Sequence, residues 1–170
     1  MSGGEWVRYR RTVDRPLEAM HAHFSRHVYH RHSHETYSFG VTEAGAQEFT
    51  CRGGRHTSAE GMVMAFNPDD PHDGWSAAAP GFTYRMVHIG TALLSAVLHE
   101  DLGRSPALPL FASPVLRDAE VAFSVRSLHA ALMGPASTRS TISARRRWHG
   151  RWGTAGSPST ARSGRRTACR

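Results

Sequence analysis

The sequence predicts a mainly β protein, a small barrel followed by two α-helices and a basic tail, and three observations lead there. Strand-like segments recur at roughly 8–12-residue spacing with turn residues between them, the mark of a sandwich or barrel. After Gly90 the apolar period lengthens from two to three and four. From Ser137 onward there is no Leu, Val, Phe or Met, and Arg, Ser, Thr, Gly and Ala dominate.

Trp6–Arg10 alternates apolar and polar residues and suits a first strand or an arm leading into one. Leu17–Phe24 is ambiguous between a short helix and a strand. Tyr37–Thr42 and Gln47–Arg52 predict two short strands joined by a hairpin across Glu43–Ala46. Gly53 and Gly54 mark the next turn. Met62–Phe66 is a continuous apolar run, as in a buried strand, and Pro68–Pro71 stops it because proline cannot donate to a ladder. Phe82–Ile89 is the last strand. Thr91–Leu102 predicts a helix with Leu94, Val97, Leu98 and Leu102 on one side and Gly103 as its C-cap. A Pro-rich connector, Ser105–Pro114, leads to a second helix over Asp118–Met133. There Val121, Val125, Leu128 and Leu132 recur like a short coiled-coil seam, which can pack on the barrel or on a second subunit. The expected organisation is therefore 1–90 barrel with arm, 91–136 helical dimerisation segment and 137–170 tail.

Charge divides the same way. Residues 1–136 hold 12 Arg and all 14 acids, a sum of −2, while 137–170 hold 9 Arg and no acid, a sum of +9. A tail so poor in apolar residues cannot offset its ordering entropy, so disorder is expected there. It would bind nucleic acid only through phosphates, without sequence preference. Cys51 and Cys169 make neither a disulfide framework nor a cysteine zinc site. The sequence shows no leader pattern after Met1 and no membrane-length apolar stretch, so a cytoplasmic setting and no membrane partner are expected.

Five of the 12 histidines fall between His23 and His34. In an extended strand His30, His32 and His34 share one face, so two imidazoles two residues apart can converge on one ion. His72, where a strand restarts after Pro71, is the candidate third ligand. Zn, Ni, Cu and Fe all suit imidazole, and a role for the histidines as hydrogen-bonding groups for an effector stays open beside a metal. His30, His88 and Arg8 are further candidates for contacting a bound molecule, Arg8 through its bidentate donors. Glu48 is an alternative acid with no spacing that demands it.

These residues resemble the cupin motifs. With His32 and His34 as the paired histidines, Gly45 falls on the closing glycine, Gly61 on the first glycine of the second motif and His72 on its histidine. Ser38 or Phe39 stands where the metal-binding glutamate belongs, which argues against two-His-one-carboxylate iron chemistry. Taken with Cys51–Gly53, Asn67–Gly74, Tyr84–Met86 and Leu110–Pro114, the chain resembles over about 6–134 the N-terminal domain of AraC-type transcription regulators. The resemblance implies a cupin jelly roll that binds a small, sugar-like or other polar effector, with Ser38, His30, His88 and Arg8 as the candidate effector-binding residues, an arm that can cover the pocket, and homodimerisation through the helix Asp118–Met133. It also implies a following helix-turn-helix domain. No such pattern occurs in the Arg/Ser-rich tail, and a shifted reading frame there, leaving no sequence-specific DNA binding, is the expectation. The competing reading is a metal-dependent cupin enzyme, of isomerase or oxygenase type, built on the three histidines.

Overall fold

A computed structural model describes residues 4–134, all within one compact unit. The basic tail over 137–170, with its expected disorder and shifted reading frame, lies outside the described residues. The strands are β1 (Trp6–Arg11), β2 (Leu17–Phe24), β3 (Tyr29–His32), β4 (Thr36–Cys51), β5 (Gly54–Ala59), β6 (Val63–Phe66), β7 (His72–Ser76), β8 (Phe82–Gly90) and β9 (Val115–Leu116). The helices are α1 (Thr91–Leu102) and α2 (Ala119–Met133). Antiparallel pairing runs β1-β2-β8-β4-β6-β9 in one sheet. In the second, β3 pairs β7, and β7 and β5 pair the far half of β4. This is a two-sheet antiparallel jelly roll in which β4 serves both sheets.

Leu17–Phe24 resolves as a strand because Ala19, Ala22 and Phe24 are buried between β1 and β8, and that sheet pairing overrides its weak local preference. The expected hairpin across Glu43–Ala46 does not exist. A single 16-residue strand, β4, runs through it and serves both sheets. Its bend is a bulge between Thr42 and Ala44 followed by Gly45 at φ 72°. A side chain at Gly45 would put its Cβ 2.1 Å from the Gly81 carbonyl oxygen, so only glycine fits this crossing. The turn expected at Gly53 is present one residue earlier. Arg52 (φ 50°) and Gly53 (φ 77°) both adopt the left-handed conformation between paired Cys51 and Gly54, as a two-residue hairpin requires.

Strand alternation separates two cores. Inside the barrel lie Ala22, Phe24, Phe49, Met64, Phe66, Phe82, Tyr84 and Met86. On the outer face of the large sheet, Val41, Val63 and Val87 meet Ala122 and Val125 of α2, with Val121, Leu128 and Leu132 packed beside them. The seam on the second helix is therefore spent on the barrel of its own chain. Asp118 caps α2 by accepting from the Glu120 and Val121 amides at 3.0 and 3.2 Å. α1 occupies its predicted span and ends at Gly103 in the left-handed conformation, but none of its residues is buried. The Pro-rich connector is tied to the barrel. The Asn67 side chain exchanges two bonds with the Phe111 backbone at 3.2 and 2.8 Å, and the Ala65 amide donates to the Pro114 carbonyl at 3.0 Å. After it, β9 adds to the sheet edge beside β6.

Candidate functional site: a histidine-rich cavity

One end of the barrel interior stays open as a cavity of about 550 Å³, within the roughly 300–1,000 Å³ usual for small-molecule sites. The inner face of the large sheet sets its composition in cross-strand rows. Met20 faces Met86, which faces Gly40, an apolar row. One step toward the mouth, Glu18 faces His88, which faces Ser38, which faces Phe66. The polar row belongs to the cavity, whose other walls include Tyr29, Tyr84 and Phe49.

His32, His34 and His72 converge at this end, with their ligating nitrogens all within 4.8 Å of one another. Ligands of a tetrahedral Zn²⁺ with bonds near 2.0–2.1 Å stand about 3.3 Å apart, so closing on an ion takes small side-chain rotations. Two of the rings are already aimed. His32 Nδ1 donates to the His30 carbonyl at 2.6 Å, and His72 Nδ1 donates to the Asp70 carbonyl at 2.8 Å. Both bonds leave Nε2 as the lone-pair nitrogen, the way outer partners fix the tautomer of metal-binding histidines. Phe66 stacks on His72 at 4.1 Å between centroids and 4° between planes, fixing the ring further. The three residues fit a divalent transition metal in donor type, and His32 and His72 also in orientation.

Burial disfavours the charged forms of His72, His88 and His34. Desolvation lowers the His72 pKa to about 4, against an upward pull from the Asp70 carbonyl. It lowers His88 to about 4 as well, with His34 adding repulsion. His34 is also lowered, first by burial and then by the His32 charge. Ser38 Oγ and His88 Nδ1 are 2.8 Å apart, and the His34 and His88 rings are 4.8 Å apart. Deeper in, the Tyr29 and Tyr84 hydroxyls bond at 2.9 Å, and desolvation raises both their pKa values.

The structure thus brings His32, His34, His72, Ser38 and His88 together, and it excludes two candidates. His30 lies exposed on the outside. The pairing of β3 with β7 shifts register between Tyr29 and His32, so strict alternation fails and Tyr29 faces inward in place of His30. Arg8 is exposed and lies over the Trp6 ring at 5.6 Å, because its face of β1 points away from the barrel. Its neighbour Tyr9 reaches the cavity instead and donates to Glu18 Oε2. Glu48 pairs with Arg55 at 3.7 Å and takes no part. Glu18 and the Tyr29–Tyr84 pair were not anticipated. The available signal was Glu18-x-Met20-x-Ala22-x-Phe24, a lone charge on an otherwise apolar strand face.

The model of the AraC-like ligand binding domain matches residues 16–150. This chain belongs to that family. It is 28% identical over 98 residues to an uncharacterized HTH-type transcriptional regulator, YbfI, of Bacillus subtilis, a match covering 58% of this chain and 35% of the regulator. The chain therefore spans about a third of the length of the curated relative it matches. Among solved structures, a cupin 2 conserved barrel protein from Salinispora arenicola aligns with a TM-score of 0.45 at 20% identity, over 55% of this chain and 84% of that one. The cupin domain of an XRE family transcriptional regulator from Enterobacter cloacae aligns at 0.43 and 13%, over 50% and 95%. Among the described residues no helix is long and apolar enough to cross a membrane.

Proposed function

We propose that this domain is the effector-sensing part of a transcription regulator. A small molecule, sugar-like or otherwise polar, enters the cavity and meets Ser38, His88 and the three histidines, with or without a Zn, Ni, Cu or Fe ion on His32, His34 and His72. The observation that carries the reading is the placement of β1. Tyr9 stands at the cavity rim bonded to Glu18, while the next residue, Arg10, donates from the opposite face of the strand to the Leu132 carbonyl at 3.1 Å and also to that of Gly134. An occupant that displaces Tyr9 therefore acts on the strand that holds the C-terminal end of α2. Two arrangements of arm and helix, weighted by occupancy, make a population-shift sensor. Homodimerisation through α2 would use its outward face, where Phe123 is 64% exposed, since the inward seam is taken.

The family and the arm both favour a sensor over catalysis. The rival reading, a metal enzyme, draws on the same three histidines. Thermal melts of the full chain against panels of sugars, polyols and divalent metals test the two. A binder at 100 times its Kd should add about 2.7 kcal/mol, several degrees in Tm, and His34→Ala should abolish the shift. Stabilisation that survives His34→Ala, or turnover of an added compound, would overturn the sensor reading.

A further inference from the structure

Ser38 stands where the cupin pattern carries a metal-binding glutamate, and the structure shows what occupies the room its short side chain leaves. Ser38 on β4 and His88 on β8 are direct cross-strand partners on the inner face of the sheet. Ser38 is 1% exposed, and its hydroxyl lies 2.8 Å from His88 Nδ1. A serine hydroxyl can accept from Nδ1 or donate to it; in the accepting arrangement Nε2 is the ring's lone-pair nitrogen, the tautomer that backbone carbonyls impose on His32 and His72. The His88 ring lines the same cavity, 4.8 Å from the His34 ring, but it stands outside the group in which the His32, His34 and His72 nitrogens lie within 4.8 Å of one another, so ligation requires its ring to turn inward. The acid of the same row, Glu18, is engaged elsewhere, by Tyr9 and by Arg11 at 2.9 Å.

Building on the reading of His32, His34 and His72 as a metal site, we propose that His88 is its fourth ligand, replacing the missing carboxylate, and that Ser38 positions it. The centre is then all imidazole. Four neutral nitrogen donors select Cu²⁺, Ni²⁺ and Zn²⁺ over oxygen-seeking Mn²⁺ and Mg²⁺. Ser38 takes over the outer-shell role that carbonyls play for His32 and His72.

The test uses the full chain, stripped of metal and loaded with one equivalent of Cu²⁺. Pulsed electron paramagnetic resonance counts the imidazoles coupled to the copper, and Zn²⁺ titration gives the affinity. Four imidazoles are expected in the native chain and three in His88→Gln, with Zn²⁺ affinity lower by at least about tenfold. Ser38→Ala, a smaller disturbance to the strand, should lower affinity by about tenfold and alter the copper spectrum while the circular dichroism stays native. A His88→Gln protein with native affinity and spectrum overturns the fourth ligand and leaves the three-histidine reading standing. Should His88→Gln not fold, a native spectrum in Ser38→Ala overturns it instead. A native chain that binds no ion, or whose binding survives His72→Ala, overturns both readings.

Discussion

The two faces of the large sheet are built from the same strands and serve opposite ends. Along β8, Val87 and Ile89 turn outward into the core beneath α2, while Tyr84, Met86 and His88 turn inward. Along β4, Val41 turns outward and Ser38, Gly40 and Thr42 inward. The outer face is apolar where α2 covers it, and is rimmed by charge. There Arg126 Nε contacts both Glu43 carboxylate oxygens at 2.9 and 3.1 Å, and Arg85 Nε makes an ion pair with Glu43 at 2.9 Å without hydrogen-bond alignment. Burial pushes the Glu43 pKa up, but the two guanidinium groups outweigh it and the net shift is downward. The inner face grades from aromatic to polar and stops at an open cavity. One face specifies the fold, and the other is free to specify a ligand.

The sharpest way to break that contrast is a charge on each side. Ala122 is 1% exposed against Val41, Val63 and Val87, so Ala122→Asp buries an unpaired carboxylate. A loss of about 3–5 kcal/mol is expected, enough to unfold a marginal domain, and a denaturant melt reads it. His34→Asp, on the solvent-reached inner face, should keep the fold. Equal losses at the two sites would erase the distinction.

Acid should act next most strongly, and from the inside. His72 and His88 have folded pKa values of about 4, below the ordinary 6.5 of the unfolded chain. The unfolded state therefore binds more protons between those values, and stability falls as pH drops from about 6.5 toward 4. For the metal-free chain the pair should cost on the order of 2–4 kcal/mol between pH 7 and 5, after allowing for partial exposure. In His72→Phe/His88→Leu the slope should largely vanish. A native chain with a flat profile over that window would contradict the desolvation of His72 and His88.

How much of this was legible in the sequence follows from which forces are local. His32, His34 and His72 could be placed because fixed spacing to Gly45 and Gly61 carries the motif, and both helices because their caps and periods are local. The β4 crossing was misread as a hairpin because Gly45 serves a hairpin and a bend equally well, and only the approach of Gly81 decides between them. His30 and Arg8 were misplaced for a single reason. Alternation assigns relative faces, but a register shift in β3, or a choice of which face of β1 meets the barrel, is set by the partner strand. Ser38 was legible as a missing acid, whereas its bond to His88 joins residues 50 positions apart.

A smaller effect tests the packing behind the cavity. A Cβ on Gly40 would stand 2.6 Å from Met64 Cε and 2.9 Å from Met86 Cε, both flexible side-chain ends. Gly40→Ala should cost about 1–2 kcal/mol in a thermal melt and narrow the inner end of the cavity. A stabilised variant would mean that this row is underpacked.

The smallest energetic effect bears most directly on how the two faces communicate. Arg10 is half-buried on the outward side of β1 and bonds carbonyls at the end of α2, while Tyr9 and Arg11 on the inward side bond Glu18. The two sets of contacts share one backbone, so a pull on one is felt by the other. Arg10→Ala should cost about 1 kcal/mol or less in global stability, because the groups it leaves are last-turn carbonyls that water can reach. Its local signature should be larger. Hydrogen exchange over residues 6–11 and 128–134 should speed up together, while β4 and β8 stay protected. Faster exchange in the arm alone would separate the cavity from the helix and remove the route by which an occupant reaches α2.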